Sequence, residues 1–158
     1  MRFNLIEYLY LHQKGNLVYY DTLTGTKSRQ YYDMQVKKKY LSREVLVAFV
    51  DIDNLKSVND TCGHTTGSEL LKSVAGRLLQ IHGVYDVCRI GGDEFILLGN
   101  FSESELSGID GISFGTYKKE AYEDMSSAVK KADERMYVKK SENHKVSRME
   151  VGRKQCLM

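Results

Sequence analysis

The stretch Arg89-Ile90-Gly91-Gly92-Asp93-Glu94-Phe95 places two glycines and two acids inside a run that otherwise has the composition of β-strands. The flanking residues, 84–90 before it and 95–98 after it, are mostly β-branched, aromatic or leucyl. Short turns between two such runs favour glycine, so we predict a β-hairpin with both glycines at its tip. The two acids, Asp93 and Glu94, then directly follow two residues that have no side chain. A tight turn with no further function is the simplest interpretation, unless a second acidic segment lies nearby.

A second acidic segment follows residues 45–51, Val-Leu-Val-Ala-Phe-Val-Asp, a run that is almost continuously apolar and ends in a carboxylate. Runs of this kind form strands that are buried on both faces. An acid at the end of a buried strand is costly unless it is paired or bound to a cation. Magnesium prefers oxygen ligands that converge from separate segments. Asp51 is therefore a candidate partner for the glycine turn, with a charged loop that only caps the strand as the alternative.

The length and composition of the 158-residue chain fit one globular domain, because a hydrophobic content of 42% is enough for a sizeable core. A net charge of +2 is too small to make nucleic acid or an anionic membrane a default partner. No apolar run approaches the roughly 20 residues of a membrane-spanning helix. Three cysteines without metal-ligand spacing fit a reducing compartment. We therefore expect a cytoplasmic protein without nucleic-acid or membrane partners.

The remaining sequence predicts three helices and a further strand. The helices are expected at residues 30–39, from Gly67 and Ser68 onward, and at 125–140, and the strand at 111–117. The polar residues between Asp51 and Gly67 predict a loop. In the last helix, apolar side chains at core spacing are Met125, Val129, Ala132, Met136 and Tyr137.

Several groups of residues, in this order, resemble the signature motifs of the GGDEF family of diguanylate cyclases. They are Asp21-Thr22-Leu23-Thr24-Gly25 with Arg29; residues 51–60 with Gly63-His64 and Gly67; Gly91 to Phe95; Ser113-Phe114-Gly115; and Ala132-Asp133 with Met136-Tyr137 and Lys140. The resemblance implies a GGDEF domain at residues 21–146, between an N-terminal extension (1–20) and a C-terminal tail (147–158). Agreement of so many motifs in register is not expected by chance.

The resemblance implies an α+β fold of the palm-like type, a mostly antiparallel sheet flanked by helices, here with a shortened middle segment. It also implies a reaction in which the 3′-hydroxyl of each of two GTP molecules attacks the α-phosphate of the other. Pyrophosphate leaves and a cyclic dinucleotide closes. Each protomer holds one nucleotide, so the reaction needs a homodimer. The implied catalytic residues are Asp51, Asp93 and Glu94, and the implied ligands of Mg²⁺ or Mn²⁺ are these three and the Ile52 carbonyl.

The substrate contacts implied by the resemblance fall on both halves of the chain. They are Asn54, Leu55, Lys56, Asn59, Ser68, Gly91, Gly92, Lys140 and His144. Amides near Asn54 and Leu55, together with the two lysines, are expected to hold the triphosphate. The two glycines are expected to let the nucleotide approach the backbone closely.

Ser68 is the departure that bears on substrate choice. Asn59 matches a family residue that hydrogen-bonds the guanine edge, but its usual aspartate partner is replaced here by Ser68. A carboxylate accepts from N1–H and the 2-amino group of guanine, whereas a hydroxyl also donates and suits adenine better. A subgroup that makes hybrid cyclic GMP-AMP carries serine at this position, so ATP is a second candidate substrate. The alternative is that Ser68 merely caps its helix.

Three further departures qualify the resemblance. His82 and Tyr85 replace an inhibitory product-binding Arg-x-x-Asp, and His144 replaces an arginine that completes the triphosphate contacts. The segment 96–112 is shorter than in the family by roughly a helix, which leaves part of a sheet face exposed for a protein partner or a tight dimer.

The leading hypothesis is an active cyclic-dinucleotide synthase. The alternatives are a weak or inactive nucleotide-binding regulatory module and, less favoured, a scaffold that only dimerises.

Overall fold

The computed structural model describes residues 19–155, and it describes the side chains of residues 19–142. Some expectations therefore lie outside the described residues, namely those on residues 1–18, on the side chain of His144 and on residues 156–158. Within the described residues, no helix combines the length and the apolar character that crossing a membrane requires.

The described chain forms four strands with helices before, between and after them. The strands are β1 (Val45–Ile52), β2 (Val84–Arg89), β3 (Glu94–Gly99) and β4 (Ile112–Lys119). The helices are α1, made of Arg29–Tyr31, a π-helical stretch Tyr32–Val36 and Lys37–Lys39; α2 (Leu55–Cys62); α3 (His64–Leu79); α4 (Glu103–Ser107); and α5 (Met125–Gln155). All four predicted strands are confirmed, with ends shifted by one or two residues.

The four strands form one antiparallel sheet in the order β2-β3-β1-β4. β1 is central, and most of its side chains are buried, as its continuous apolar run predicts. At its end Asp51 stands opposite Glu94 of β3 and opposite Ser113 of β4. This register brings the two acidic segments of the sequence together at one end of the sheet. The α+β class, with an antiparallel sheet and flanking helices, is therefore confirmed.

Side chains alternate along β1 and enter two separate cores. One core contains Ala48, Val50 and Ile52 with residues of α3 and α4, including Leu71, Val74, Leu78 and Leu106. The other contains Val45, Val47 and Phe49 with residues of α1 and α5, including Tyr32, Val36, Ala128, Ala132 and Met136. Burial of each large aliphatic side chain contributes roughly 1.5–3 kcal/mol. By the same alternation, Asp51 follows Phe49 onto the face that carries α1 and α5.

The residues after β1 form two helices, so the predicted loop between Asp51 and Gly67 is wrong. α2 contains Asn59 and its neighbours, and α3 begins at His64 rather than at Gly67. Gly63 separates the two helices with a φ of 87°, a conformation that favours glycine. α2 buries only one side chain, that of Leu55, among its described residues. A helix with so little apolar surface resembles a loop in sequence.

The last helix is longer than predicted, because its backbone continues to Gln155 and takes in most of the expected loose tail. It packs closely on β4 at Gly115, where a Cβ would lie 2.2 Å from the carbonyl oxygen of Ala132. Met136 is buried against the sheet, but Tyr137 is 70% exposed. The prediction of Tyr137 as a core residue is therefore wrong, because each helical step turns the side chain by about 100°.

The segment between β3 and β4 is short and contains the five-residue helix α4. A groove of about 500 Å³ lies beside β4 between α4 and α5, lined in part by Glu103, Thr116 and Arg135. The protein partner that we expected on this part of the sheet stays a prediction.

Candidate functional site

Two arginines fix the glycine turn between β2 and β3. The Ile90 N–H donates to the Glu94 carbonyl at 2.9 Å, which closes the hairpin. Arg89 Nη2 donates to the Gly92 carbonyl at 2.8 Å. Arg29 Nη1, from the start of α1, donates to the Ile90 carbonyl at 3.1 Å. The turn is therefore held in position by side chains from both β2 and α1.

Asp21 in turn anchors Arg89. Its two carboxylate oxygens accept from Arg89 Nη1 at 3.1 and 3.3 Å. The backbone N–H and the hydroxyl of Thr24 donate to Asp21 Oδ1 at 2.9 and 2.6 Å. Burial by itself would raise the pKa of Asp21, but the hydrogen bonds from Thr24 and Arg89 lower it below its ordinary value. From local sequence Asp21 is only a helix cap, because a contact across 68 residues leaves no local pattern.

The carboxylates of Asp51 and Glu94 extend from directly opposite positions on adjacent strands, so they share one face of the sheet. Asp93 joins the same end of the sheet, because its carbonyl accepts from the Ile52 N–H at 2.9 Å. Burial, and then the charges of Asp93, Asp51 and Asp133, raise the pKa of Glu94. The predicted catalytic acids are thus close enough to repel one another, which favours a cation among them.

Lys140 reaches this acidic site from α5. Its Nζ donates to Asp51 Oδ1 at 2.5 Å, and the pair is partly buried. Burial alone would lower the pKa of Lys140, but the hydrogen bond to Asp51 and the charges of Asp51, Asp53 and Asp93 raise it. The structure therefore brings together Asp51 and Lys140, two predicted site residues that are 89 positions apart.

The donor chemistry at this end of the sheet fits a hard divalent cation, because it consists of carboxylate and carbonyl oxygens from two strands. Within the described residues, however, no three His, Cys, Asp or Glu side chains are grouped closely enough to hold a metal ion. Asp51 is engaged by Lys140 instead. Any metal would have to compete with the Lys140 ammonium for this carboxylate.

The two predicted turn glycines have different surroundings. A Cβ at Gly91 would lie 2.4 Å from Glu94 Oε2, so this glycine lets the Glu94 side chain fold over the turn. A Cβ at Gly92 would meet no described atom within 4 Å. Sequence reasoning missed that Gly91 accommodates Glu94.

A left-handed residue begins the segment predicted to hold phosphate. Asn54 has a φ of 58°, makes no side-chain cap hydrogen bond, and directly precedes α2. Two hydrogen bonds fix Asp53, the residue before Asn54. Its N–H donates to the Gly111 carbonyl at 2.9 Å, and its Oδ1 accepts from the Ser113 hydroxyl at 2.7 Å. The amides at Leu55 and Lys56 therefore start a helix without a side-chain cap, an arrangement that suits an anion.

The predicted base-contacting residues lie where α2 meets α3. A Cβ at Gly67 would lie only 1.8 Å from Asn59 Oδ1, so Gly67 has to lack a side chain for Asn59 to pack there. Ser68, the next residue, is partly buried and lies inside α3, whose N-cap is Gly63. The alternative in which Ser68 caps its helix is therefore wrong.

The sequence matches a family described as "Diguanylate cyclase, GGDEF domain" over residues 18–110, more than half of the chain. A stretch of 94 residues is 35% identical to cyclic di-GMP phosphodiesterase PdeB of Shewanella oneidensis and covers 58% of this chain and 11% of that protein. A stretch of 99 residues is 33% identical to diguanylate cyclase DgcP of Escherichia coli and covers 58% of this chain and 29% of that protein. The chain thus spans less than a third of either relative.

The fold is similar to that of the coiled coil and GGDEF domain of DgcB from Caulobacter crescentus, solved in complex with c-di-GMP. The TM-score is 0.76 at 22% identity, and the similarity covers 86% of this chain and 88% of that one. The structural match confirms the palm-like fold predicted from sequence. The family match ends before β4 and α5, so the family roles expected of Lys140 and its neighbours stay predictions.

Proposed function

The chain belongs to the GGDEF domain family of diguanylate cyclases, and from this we propose that it condenses two nucleoside triphosphates into a 3′,5′-cyclic dinucleotide with release of pyrophosphate. One observation carries the proposal: Asp51 and Glu94 stand opposite each other on adjacent strands, beside an unaltered Gly91-Gly92-Asp93 turn and within reach of Lys140. A domain that only dimerises has no use for a carboxylate in that position. Homodimers are part of the proposal, because each protomer offers one site.

We assign different roles to the residues of the site according to the chemistry of their side chains and backbone groups. Asp51, Asp93, Glu94 and the Ile52 carbonyl would hold Mg²⁺ or Mn²⁺, which when bound lowers the pKa of an attacking hydroxyl and neutralises phosphate charge. The amides at the start of α2 would orient the triphosphate. As an alternative to its role as a metal ligand, Glu94 is a candidate general base, because its carboxylate lies opposite Asp51 in the same site.

Lys140 would exchange partners when substrate binds. Its ammonium neutralises Asp51 when no nucleotide is bound, and a triphosphate carries more negative charge than one carboxylate. Its release would free Asp51 for the metal. Lys56 is exposed at the start of α2 and would add a second cation on the phosphate side.

GTP is the proposed substrate, with ATP as a second one because of Ser68. Asn59 and Ser68 lie at the α2–α3 junction, where a base edge would meet an amide and a hydroxyl. Changing Ser68 to aspartate restores a group that accepts from both N1–H and the 2-amino group of guanine. The ratio of GTP to ATP incorporation should therefore rise in Ser68→Asp, and an unchanged ratio would overturn this assignment.

The test of the activity is to incubate the protein with Mg²⁺ and GTP, ATP or both, and to separate the products by chromatography. Asp93→Ala serves as the control, because it removes one acid and leaves the turn glycines in place. A cyclic dinucleotide from the wild type, and none from Asp93→Ala, supports the proposal. If no mixture yields a cyclic dinucleotide, the enzyme proposal fails.

A nucleotide-binding regulatory module is the second candidate. It is favoured by the ion pair between Lys140 and Asp51 and by the lack of a three-ligand acidic group among the described side chains. Tight nucleotide binding without turnover, at protein concentrations high enough for dimers, would support this candidate over the first.

A further inference from the structure

β4 forms one edge of the sheet, because β1 is its only strand neighbour among the described residues. The carbonyl of Gly111, just before β4, accepts from the Asp53 N–H on the β1 side. Backbone groups alternate in direction along a strand, so those of Phe114, Thr116 and Lys118 point away from β1. None of these three residues makes a backbone hydrogen bond on that outer side to the described part of the chain. Such an edge is a template for an additional strand.

Arg135 of α5 contacts one of these outward groups. Its Nη1 donates to the Thr116 carbonyl at 2.7 Å, and its guanidinium lies 5.3 Å from the centre of the Tyr117 ring. Arg135 is exposed, and it forms no ion pair with a described carboxylate. A hydrogen bond of this kind is readily exchanged for one to another ligand, because its net stabilisation is small.

The groove beside β4 has one uncompensated positive charge. Three cations of α5 and two glutamates line it. Apart from Arg135, each of these charged groups lies within 4.0 Å of a group of opposite charge: Lys131 with Glu123, Lys139 with Glu103, and Glu134 with Lys130. Val138, an apolar side chain of the groove, is 53% exposed. The groove therefore offers an open strand edge, an exposed apolar side chain and one guanidinium that lacks an acid among the described side chains.

We propose that this groove binds an extended acidic segment of a partner protein, which adds a strand to β4. An N–H of the segment bonds to the Thr116 carbonyl, and a carboxylate of the segment pairs with the Arg135 guanidinium that this exchange releases. The backbone hydrogen bonds contribute affinity, and the guanidinium selects for acidic side chains. No nucleotide is needed for this contact, so the inference does not depend on the proposed function.

A second copy of the chain fits the same edge less well. Pairing β4 with β4 of another copy would bring the groove cations of both copies, Arg135 and Lys139 among them, to one shared edge. Like charges that meet at an interface oppose association. The charge of the groove therefore favours an acidic partner over self-association.

The experiment measures binding of a fluorescein-labelled peptide, Thr-Val-Glu-Val-Glu-Val-Thr, by fluorescence anisotropy. One control peptide carries glutamine in place of both glutamates, and another is N-methylated at its five central amides, which removes the donors of a strand. The acidic peptide should bind the wild type about tenfold more tightly than the glutamine peptide, because a charge-assisted contact is lost with glutamine. The N-methylated peptide should not bind.

Arg135→Gln is compared with Arg77→Gln. Arg77 is a matched control, because it is exposed on α3, donates to the Gly108 carbonyl at 2.6 Å and does not line the groove. Arg135→Gln should abolish the preference for the acidic peptide over the glutamine peptide, and Arg77→Gln should retain it. The melting temperature of each variant reports folding. The three peptides also test the proposal on the wild type alone, so an unstable variant does not prevent the test.

Several outcomes would overturn the inference. They are no binding of the acidic peptide, equal binding of the N-methylated peptide, an undiminished preference in Arg135→Gln, and an equal loss of preference in both arginine variants. Sedimentation of the protein without peptide tests the other occupant. If the acidic peptide does not bind and Arg135→Gln changes the self-association constant, a second copy occupies the edge instead. No arm contains nucleotide, so these results stand whether or not the protein forms a cyclic dinucleotide.

Discussion

Two aspartates of this protein each form a hydrogen-bonded ion pair with a lysine, but the surroundings of the two pairs differ. Asp86 is buried to 3% side-chain exposure and accepts from Lys39 Nζ at 2.6 Å and from the Tyr40 hydroxyl at 2.5 Å. Asp51 accepts from Lys140 Nζ at 2.5 Å with 14% side-chain exposure. The distances are alike, but the neighbouring charges are not.

The difference lies in what surrounds each pair. Asp86 is surrounded by donors, and burial together with the hydrogen bond to Asp86 raises the pKa of Tyr40, so the phenol keeps its proton. Asp51 stands opposite Glu94, whose pKa is raised by burial and by neighbouring carboxylates. A buried carboxylate whose oxygens accept from nearby donors stabilises the folded state. A group of carboxylates with excess negative charge is instead suited to binding a cation. The following experiments test this contrast.

Asp51→Asn should have the largest effect, and it should act on activity. Losing one charge of the site is expected to slow cyclic-dinucleotide formation by about a thousandfold. Because the residue lies at the partly exposed end of β1, unfolding free energy should change by less than about 1 kcal/mol. Product chromatography and urea denaturation measure the two quantities. Product formation at the wild-type rate would contradict the role of Asp51.

Asp86→Ala should act on stability instead. It leaves the hydroxyl of the fully buried Tyr40 without its acceptor, which is expected to lower the free energy of unfolding by about 3 kcal/mol. Adding Tyr40→Phe should recover part of this loss, because the second change removes the unsatisfied donor. Urea denaturation of both single variants and the double variant completes the cycle. Purely additive losses would show that Asp86 and Tyr40 are not coupled.

Lys140→Ala and Lys39→Ala sharpen the comparison from the cationic side. Lys140→Ala should weaken the binding of a GTP analogue by about tenfold, since one charge-assisted contact to phosphate is lost. Lys39→Ala should leave that affinity unchanged and lower the melting temperature, because Lys39 forms an ion pair with the buried Asp86. Calorimetry and thermal denaturation test the pair. A similar loss of affinity in both variants would remove the distinction between the two sites.

Glu94→Gln should have the smallest effect on the free energy of unfolding, and the size of this effect depends on pH. The pKa of Glu94 is raised in the folded state, so its contribution to stability is fully present below the ordinary value of 4.5 and is lost as the pH rises through the raised pKa. At about pH 7 glutamine removes this repulsion and should stabilise the protein by roughly 0.5 kcal/mol. The gain should vanish at about pH 4. Denaturation at both pH values would contradict the prediction if the gain were equal.

Several predictions succeeded because their signals were local. The glycine hairpin and the buried strand β1 follow from short apolar runs broken by turn residues, and both are confirmed. The loop predicted after β1 failed because α2 buries only Leu55 among its described residues, so its sequence contains little of the apolar surface by which a helix is usually predicted. Tyr137 failed because spacing along a helix defines a side of the helix but not how far the neighbouring sheet extends.

Residue order alone was enough to identify the acids, the glycine turn and the family motifs, since these depend on neighbours along the chain. Only the folded chain decides that Asp51 faces Glu94, that Asp21 holds Arg89, and that Lys140 neutralises Asp51. These contacts join residues 43, 68 and 89 positions apart, and their geometry depends on the register of the sheet and on the packing of α5. Charge repulsion and pairing act through space, so the same acids become a site only where the strands bring them together.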